Sequence, residues 1–427
     1  MKIQISNGRV INPSSGLDEV LDVFIAAGKI VGLGQGPAGF APNRVIDARN
    51  KIVMPGLVDL AARLREPGYE YLATLESEMF AATVGGITSM ACPPDTDPPL
   101  DEPGLVEMLK HRAKGRNQTN VHPIGALTQQ LQGTRLTEMG ELRDAGCVAF
   151  SQANIPLMDT QVLARALDYA STFGFTVWLQ PQDGHLARGG VAHDGEVAAR
   201  LGLPTIPDCA ETIAISTILH LVRHTRARVH LCRLSSAAGL DLVRAAKAEG
   251  LPVTCDISIN HLHLSEHDIG FFNPHCRLDP PLRSLRDRDA LRAGLADGTV
   301  DALVSDHSPV DAQSKQVPFE AAEAGATGVE LLLPLTLQWA RQDSIPLVRA
   351  LSRITADPSR ILGVQAGQIA PGSTADLCIF NPDQEWVVTP QALKSQGKNT
   401  PFLNLPLLGR VSHTVVGGFL IYEDARA

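Results

Sequence analysis

Arg228-Val229-His230-Leu231-Cys232-Arg233-Leu234, a stretch of helical spacing over 237–250, then Val253-Thr254-Cys255-Asp256-Ile257: this segment reads as strand, helix, strand. Near-continuous apolar runs of this length suit strands covered on both faces, and a helix between two of them is the building unit of a parallel sheet. The alternation continues in both directions. Strand-like runs lie at 86–90, 120–126, 147–151 and 176–179 upstream and at 302–305 downstream, with helical spacing again over 161–173. Strand and helix alternating about eight times in ~300 residues predicts an α/β fold, a (β/α)8 TIM barrel.

The chain ends follow another grammar. Short strand-like pieces at 2–5, 22–27, 45–47 and 52–54 are punctuated by turn signals at Asn7-Gly8 and Gly28-Lys29, and similar pieces return at 376–380 and 411–422, the latter carrying Gly417-Gly418. These predict a small composite β-sandwich domain from both ends, 1–55 plus 362–427, beside a barrel of 56–361. The 427 residues are 44% hydrophobic and 19% charged, which excludes disordered, collagen-like and disulfide-scaffold classes. A net charge of −9 makes nucleic acid a poor partner, and the local run Arg223, Arg226, Arg228, Arg233 reads as the polar face of a helix entering a strand. Seven scattered cysteines without a CxxC pair read as reduced, mostly buried thiols. Met1-Lys2-Ile3-Gln4-Ile5 lacks the apolar core of a signal peptide and no run approaches the ~18 apolar residues of a membrane helix, so a cytoplasmic chain with no membrane contact is expected.

A barrel of this kind does its chemistry where strands give way to the following loops. The motifs there are Met54-Pro55-Gly56-Leu57-Val58-Asp59, Leu64-Arg65-Glu66-Pro67-Gly68, His122-Pro123-Ile124-Gly125-Ala126, Pro280-Pro281-Leu282-Arg283, Ser305-Asp306-His307-Ser308-Pro309 and Asn399-Thr400-Pro401-Phe402. In this order they resemble the dihydroorotases of the amidohydrolase superfamily over nearly the whole chain. The resemblance implies hydrolysis of a cyclic amide by metal-bound hydroxide, with histidines and carboxylates from several strand ends holding the metal.

The ligand positions implied by the resemblance have changed. The family's Asp-x-His-x-His-Leu-Arg reads Asp59-Leu60-Ala61-Ala62-Arg63-Leu64-Arg65, its Ser-Asp-Asp-Gly reads Ser151-Gln152-Ala153-Asn154, its His-Ala-Glu-Asp begins at Gln180, and its His-Val-Ser-Thr begins at Arg233. Of the six positions Ala61, Arg63, Gln152 (or Ala153), Gln180, Arg233 and Asp306, only Asp306 keeps the family residue. Neither alanine nor guanidinium donates a lone pair to a metal. Losing nearly all ligands removes most of the ~10–16 kcal/mol a complete zinc site supplies. No metal at these positions, no other cofactor and no catalytic residue are expected. The substrate positions are altered too: Arg65 is kept, but Asp95 and Asp279 stand where the family has asparagine, and Val310 where it has histidine. A carboxylate there repels an incoming carboxylate by several kcal/mol at ~4 Å.

Other histidines read as structural: His261, His263 and His267 despite their spacing, His185 with Asp183 as an ordinary loop, and His230, three residues before Arg233, on the helix-facing side. One gain is expected among the losses, with Arg63, Arg233 or both occupying the vacated centre and pairing with Asp306, whose burial without a cation would be costly. Bacterial proteins resembling this one, with the histidine pair missing, are partners of aspartate carbamoyltransferase, so a non-catalytic structural subunit of pyrimidine biosynthesis that also self-associates is the leading expectation. Two alternatives stand beside it. One is a weakly active dihydroorotase or other cyclic-amide hydrolase using Asp306 with His185 or His307. The other is an anion- or metabolite-binding regulatory module on Arg63, Arg65 and Arg233. The segment 312–325, a mobile substrate loop in catalytic relatives, is expected to be disordered or recruited into a contact.

Overall fold

The computed structural model describes residues 1–116 and 118–424. Eight parallel strands form one sheet in strict chain order: Leu57–Asp59, Ile87–Cys92, Asn120–Ala126, Ala149–Ser151, Thr176–Leu179, Arg228–Leu231, Val253–Ser258 and Ala302–Val304. Its two ends meet beyond the first and eighth strands through a parallel bridge between Ala62 and His307. There the His307 N–H donates to the Ala61 carbonyl and the Arg63 N–H to the His307 carbonyl, each at 2.9 Å. Val58, Ala91, Ile124, Ala149, Trp178, Ala302 and Val304 fill the interior as one cluster. Three of these residues are alanines, which leaves room for the Trp178 indole.

Local chemistry sets the helix limits. Ser236 caps Ala237–Ala248 by accepting the Gly239 N–H, Asp159 caps Thr160–Phe173, and Gly174 closes the latter at φ 68°. Leu240, Val243 and Ala246 form the buried stripe of Ala237–Ala248, as the 3.6-residue period requires.

Strands from both ends of the chain join in a second eight-stranded sheet. Ile52–Pro55 pairs in parallel with Lys2–Asn12 and antiparallel with Leu377–Val387, so the first and last parts of the sequence meet side by side. Ile3, Ile5, Val10, Val23, Ile25, Val53, Leu377 and Ile379 share one core. Asn7-Gly8 does not turn the chain. Lys2–Asn12 continues through it, and the register slips between Ile5 and Gly8 with Asn7 at φ 61°, a bulge that absorbs the turn signal without ending the strand. No helix among the described residues is long and apolar enough to cross a membrane.

The segment 312–325 is ordered within the chain. Phe319 is buried, and the buried Lys315 ammonium donates to the carbonyls of Pro274, Arg277 and Glu323 at 3.0, 3.3 and 2.7 Å. Three carbonyl acceptors hold the loop down within the chain, so it is ordered and not disordered.

Candidate functional site

Loops after seven of the eight strands bring charged and amide side chains to the barrel mouth. Arg63 follows the first strand, Asp95 the second, Asn154 the fourth, Gln180 the fifth, Arg233 the sixth, Asp279 the seventh and Asp306 the eighth. Arg65, Ala153, Arg233 and Asp306 have positive φ, at 62°, 52°, 54° and 49°. Such conformations cost about 1–3 kcal/mol each and persist where the surroundings enforce them. The mouth therefore keeps a strained backbone on which the side chains are placed.

Arg233 is 5% exposed and Asp306 6%. Arg233 Nη1 donates to Asp306 Oδ1 at 3.1 Å, and Nη2 donates to Asn154 Oδ1 at 2.6 Å and Gln180 Oε1 at 2.7 Å. Arg63 donates from Nε to Asp95 Oδ2 at 2.7 Å, from Nη1 to Ser308 Oγ at 3.0 Å and from Nη2 to Asn154 Oδ1 at 2.6 Å, and its Nη1 lies 3.9 Å from Asp306. Asn154 is the hub: its carbonyl oxygen takes both guanidiniums and its amide donates to Asp279 Oδ2 at 3.0 Å. Gln180 Nε2 donates to the other Asp279 oxygen at 3.2 Å. Of the expected pairing of one or both arginines with Asp306, Arg233 makes the direct bond and Arg63 a more distant contact.

Burial works against the Arg233 charge, and Asp306, with Asp279 and Asp256 nearby, outweighs it and raises the pKa above the ordinary value. At Asp95 burial favours the neutral acid, but Arg63 prevails and lowers the pKa.

The remaining positions face other partners. Gln152 turns aside, its Oε1 accepting from Thr128 Oγ1 at 2.9 Å and its Nε2 donating to the Leu131 carbonyl at 2.6 Å. Ala61 offers only backbone groups, its carbonyl accepting the His307 N–H and its N–H donating to Asp59 Oδ1 at 3.4 Å. Arg65 donates to the Pro309 carbonyl at 2.9 Å and lies 3.9 Å from Glu323. Val310 is buried and donates its N–H to Asn399 Oδ1. Asp95 and Asp279 do not confront the open mouth as bare carboxylates, because Arg63, Asn154 and Gln180 occupy their oxygens.

His230 does not pack against a helix. The sixth strand ends at Leu231 and Arg233 adopts a left-handed conformation, so the alternation that put the two residues on opposite faces stops between them. The fully buried imidazole lies inside the barrel, 4.8 Å from the Trp178 ring, with Nδ1 2.8 Å from Thr254 Oγ1 and Nε2 2.8 Å from Asp256 Oδ2. Asp256 Oδ1 also accepts the Arg233 N–H at 2.7 Å. His230, Cys232 and Asp256 bring one potential metal-ligating atom each within 4.8 Å of the others. The ligand positions implied by the resemblance do not fit a metal: two hold cations, one alanine, and the amides are engaged.

Three further buried or half-buried histidines bond within the fold. His261 bonds Ser258 Oγ and the Pro281 carbonyl, and His263 bonds the Leu335 carbonyl. His307 lies 2.6 Å from Glu78 through Nε2 and accepts the Gly328 N–H through Nδ1. Burial pushes His122, His261 and His263 down to about 4 from 6.5, whereas burial pushes Glu330 up to about 7 from 4.5. Each depressed histidine contributes stability that is present above pH 6.5 and lost as pH falls through 4. Glu330 contributes stability that is present below pH 4.5 and lost as pH rises through 7. Between pH 5 and 6 these four groups together make unfolding take up roughly two protons. The urea midpoint is therefore expected to fall as pH is lowered through that window.

Comparison with known proteins agrees with this architecture. A dihydro-orotase-like family model matches residues 50–238 and an amidohydrolase family model matches 191–422. A dihydroorotase-like protein of Pseudomonas aeruginosa is 44% identical over 99% of this chain and 100% of its own, and one of Pseudomonas putida is 42% identical over 99% of each chain. A dihydroorotase of Geobacter sp. (strain M21) is 38% identical over 99% of this chain and 100% of its own. Among solved structures, an L-hydantoinase from Arthrobacter aurescens superposes with a TM-score of 0.88 at 24% identity, covering 99% of this chain and 96% of its own, a likeness of fold.

Proposed function

The chain belongs to the dihydroorotase-like family of amidohydrolases, and from that premise we propose that it is a non-catalytic member, a structural subunit of pyrimidine biosynthesis that supports the assembly and activity of aspartate carbamoyltransferase. The observation that carries this reading is the Arg233–Asp306 pair at 3.1 Å, with Arg63 tied to the same Asn154. Family hydrolysis uses metal-bound hydroxide, and a dication beside two fixed guanidiniums is repelled by several kcal/mol at ~4 Å even at an effective dielectric of 20. Asp306, the family's general base, is already the acceptor of a buried cation.

The alternatives find little to work with. A hydrolase using His307 would first have to release both ring nitrogens from Glu78 and Gly328. An anion module built on Arg63, Arg65 and Arg233 finds those cations facing Asp95, Asp279, Asp306 and Glu323. The partner itself rests on the resemblance to bacterial proteins with the histidine pair missing.

Two assays test the two halves. Dihydroorotate hydrolysis, with and without added zinc, is expected to stay at the buffer rate. Turnover abolished by Asp306→Asn would refute the non-catalytic half. Co-expressed aspartate carbamoyltransferase is expected to elute with this chain in one high-mass complex and to transfer carbamoyl groups faster than when expressed alone. Separate elution with unchanged transferase activity would refute the other half.

A further inference from the structure

We propose that His230, Cys232 and Asp256 form a binding site for a zinc-type divalent ion inside the barrel, one layer beneath the Arg63–Arg233–Asp306 network and distinct from the ligand positions that the resemblance implies. The sixth and seventh strands build it. Their parallel register aligns His230 with Thr254 and Leu231 with Cys255, so the next step along each strand sets Cys232 beside Asp256, with His230 one inward position below. One nitrogen, one sulfur and one carboxylate oxygen lie within 4.8 Å of one another. Imidazole and thiolate together favour zinc and its soft neighbours over magnesium or calcium, which prefer oxygen.

The surroundings prepare the site. A metal-binding histidine needs a partner on its other ring nitrogen to fix the tautomer, and Thr254 Oγ1 lies 2.8 Å from His230 Nδ1. Binding through Nε2 moves the ring proton to Nδ1, where the Thr254 oxygen accepts it. The Arg233 N–H on Asp256 Oδ1 orients that carboxylate and leaves Oδ2 directed at His230. Cys232 alone of the three is partly exposed, and its thiol has only a weak 3.9 Å contact to the His230 carbonyl, so its sulfur has little to give up on binding an ion. Coordination replaces the Cys232 S–H bond by a metal–sulfur bond and releases one proton per ion. The thiolate and the Asp256 carboxylate together balance a dication, so the ion offsets the buried Asp256 charge and the loaded site is neutral.

The test uses the full chain, stripped of metal and titrated with Co(II) and then Zn(II). One equivalent of cobalt is expected to produce a thiolate-to-cobalt charge-transfer absorption that zinc removes. Cys232→Ser should abolish the absorption, Asp256→Asn should weaken binding at least ~10-fold, and Cys209→Ser, at the exposed thiol, should leave it unchanged. X-ray absorption of the zinc-loaded unsubstituted chain gives a readout that does not depend on how the variants fold. One sulfur at about 2.3 Å with nitrogen or oxygen neighbours at about 2.0–2.2 Å is expected. No thiolate absorption, an absorption that survives Cys232→Ser, or a zinc shell without sulfur would each overturn the proposal. Dihydroorotate turnover is not a readout here, so this outcome is independent of the proposed function.

Discussion

Arg233→Ala is expected to destabilise the protein by about 3–5 kcal/mol, the cost of removing one partner from a buried ion pair. The magnitude follows from what stays behind. Asp306 keeps Arg63, but at 3.9 Å, while Asn154 and Gln180 each lose a charged donor at 2.6–2.7 Å. Asp306→Asn placed on top of Arg233→Ala should restore a substantial part of the loss, because an amide at that position needs no cation. The urea midpoints of the parent, both single variants and the double variant form a cycle whose coupling energy measures the pair. Zero coupling would mean that Asp306 is satisfied without Arg233.

Glu78→Ala is expected to cost at least as much. Glu78 and His307 are both fully buried, 2.6 Å apart, and the same carboxylate accepts from Ser395 Oγ at 2.6 Å and the Gln396 N–H at 2.9 Å. One side chain on the helix Leu75–Val84 thus ties down the eighth-strand loop and Ser395-Gln396. Burial favours its neutral form, but His307 and Ser395 outweigh it and keep the pKa below the ordinary carboxylate value. Removing the carboxylate strands two buried partners, His307 and Ser395, each unmet group worth about 1–3 kcal/mol, and frees the Gln396 N–H. The expected signature is a lower melting temperature together with new tryptic cleavage after Lys394, while Glu78→Gln, which keeps an acceptor, falls between parent and alanine variant.

Much of the architecture could be read from residues because a parallel strand buried on both faces writes itself as an apolar run. Arg228–Leu231 and Val253–Ser258 are such cases. Leu57–Asp59 is too short to stand out that way and was visible only through the motif around it. The pairing of Arg63 and Arg233 with Asp306 was legible as a charge argument. The inward turn of His230 was not, since parity along a strand holds only while the strand continues, and a left-handed residue at Arg233 carries no hydropathy signal. Asn154 as the hub is not legible in the sequence, because the ligand positions that the resemblance implies are the two before it. Asp256 had a readable clue, a lone carboxylate inside Thr254-Cys255-Asp256-Ile257, which implies a buried partner.

The sheet shared by the two chain ends also imposes an order of events during synthesis. Ile52–Pro55 leaves the ribosome early, yet its antiparallel neighbour begins at Leu377, more than three hundred residues later. At ~5–20 residues per second the wait is on the order of 15–60 s. Throughout it the Val53 edge offers unpaired backbone groups to any passing strand, so the nascent chain depends on chaperones or on early barrel closure until its last strands arrive.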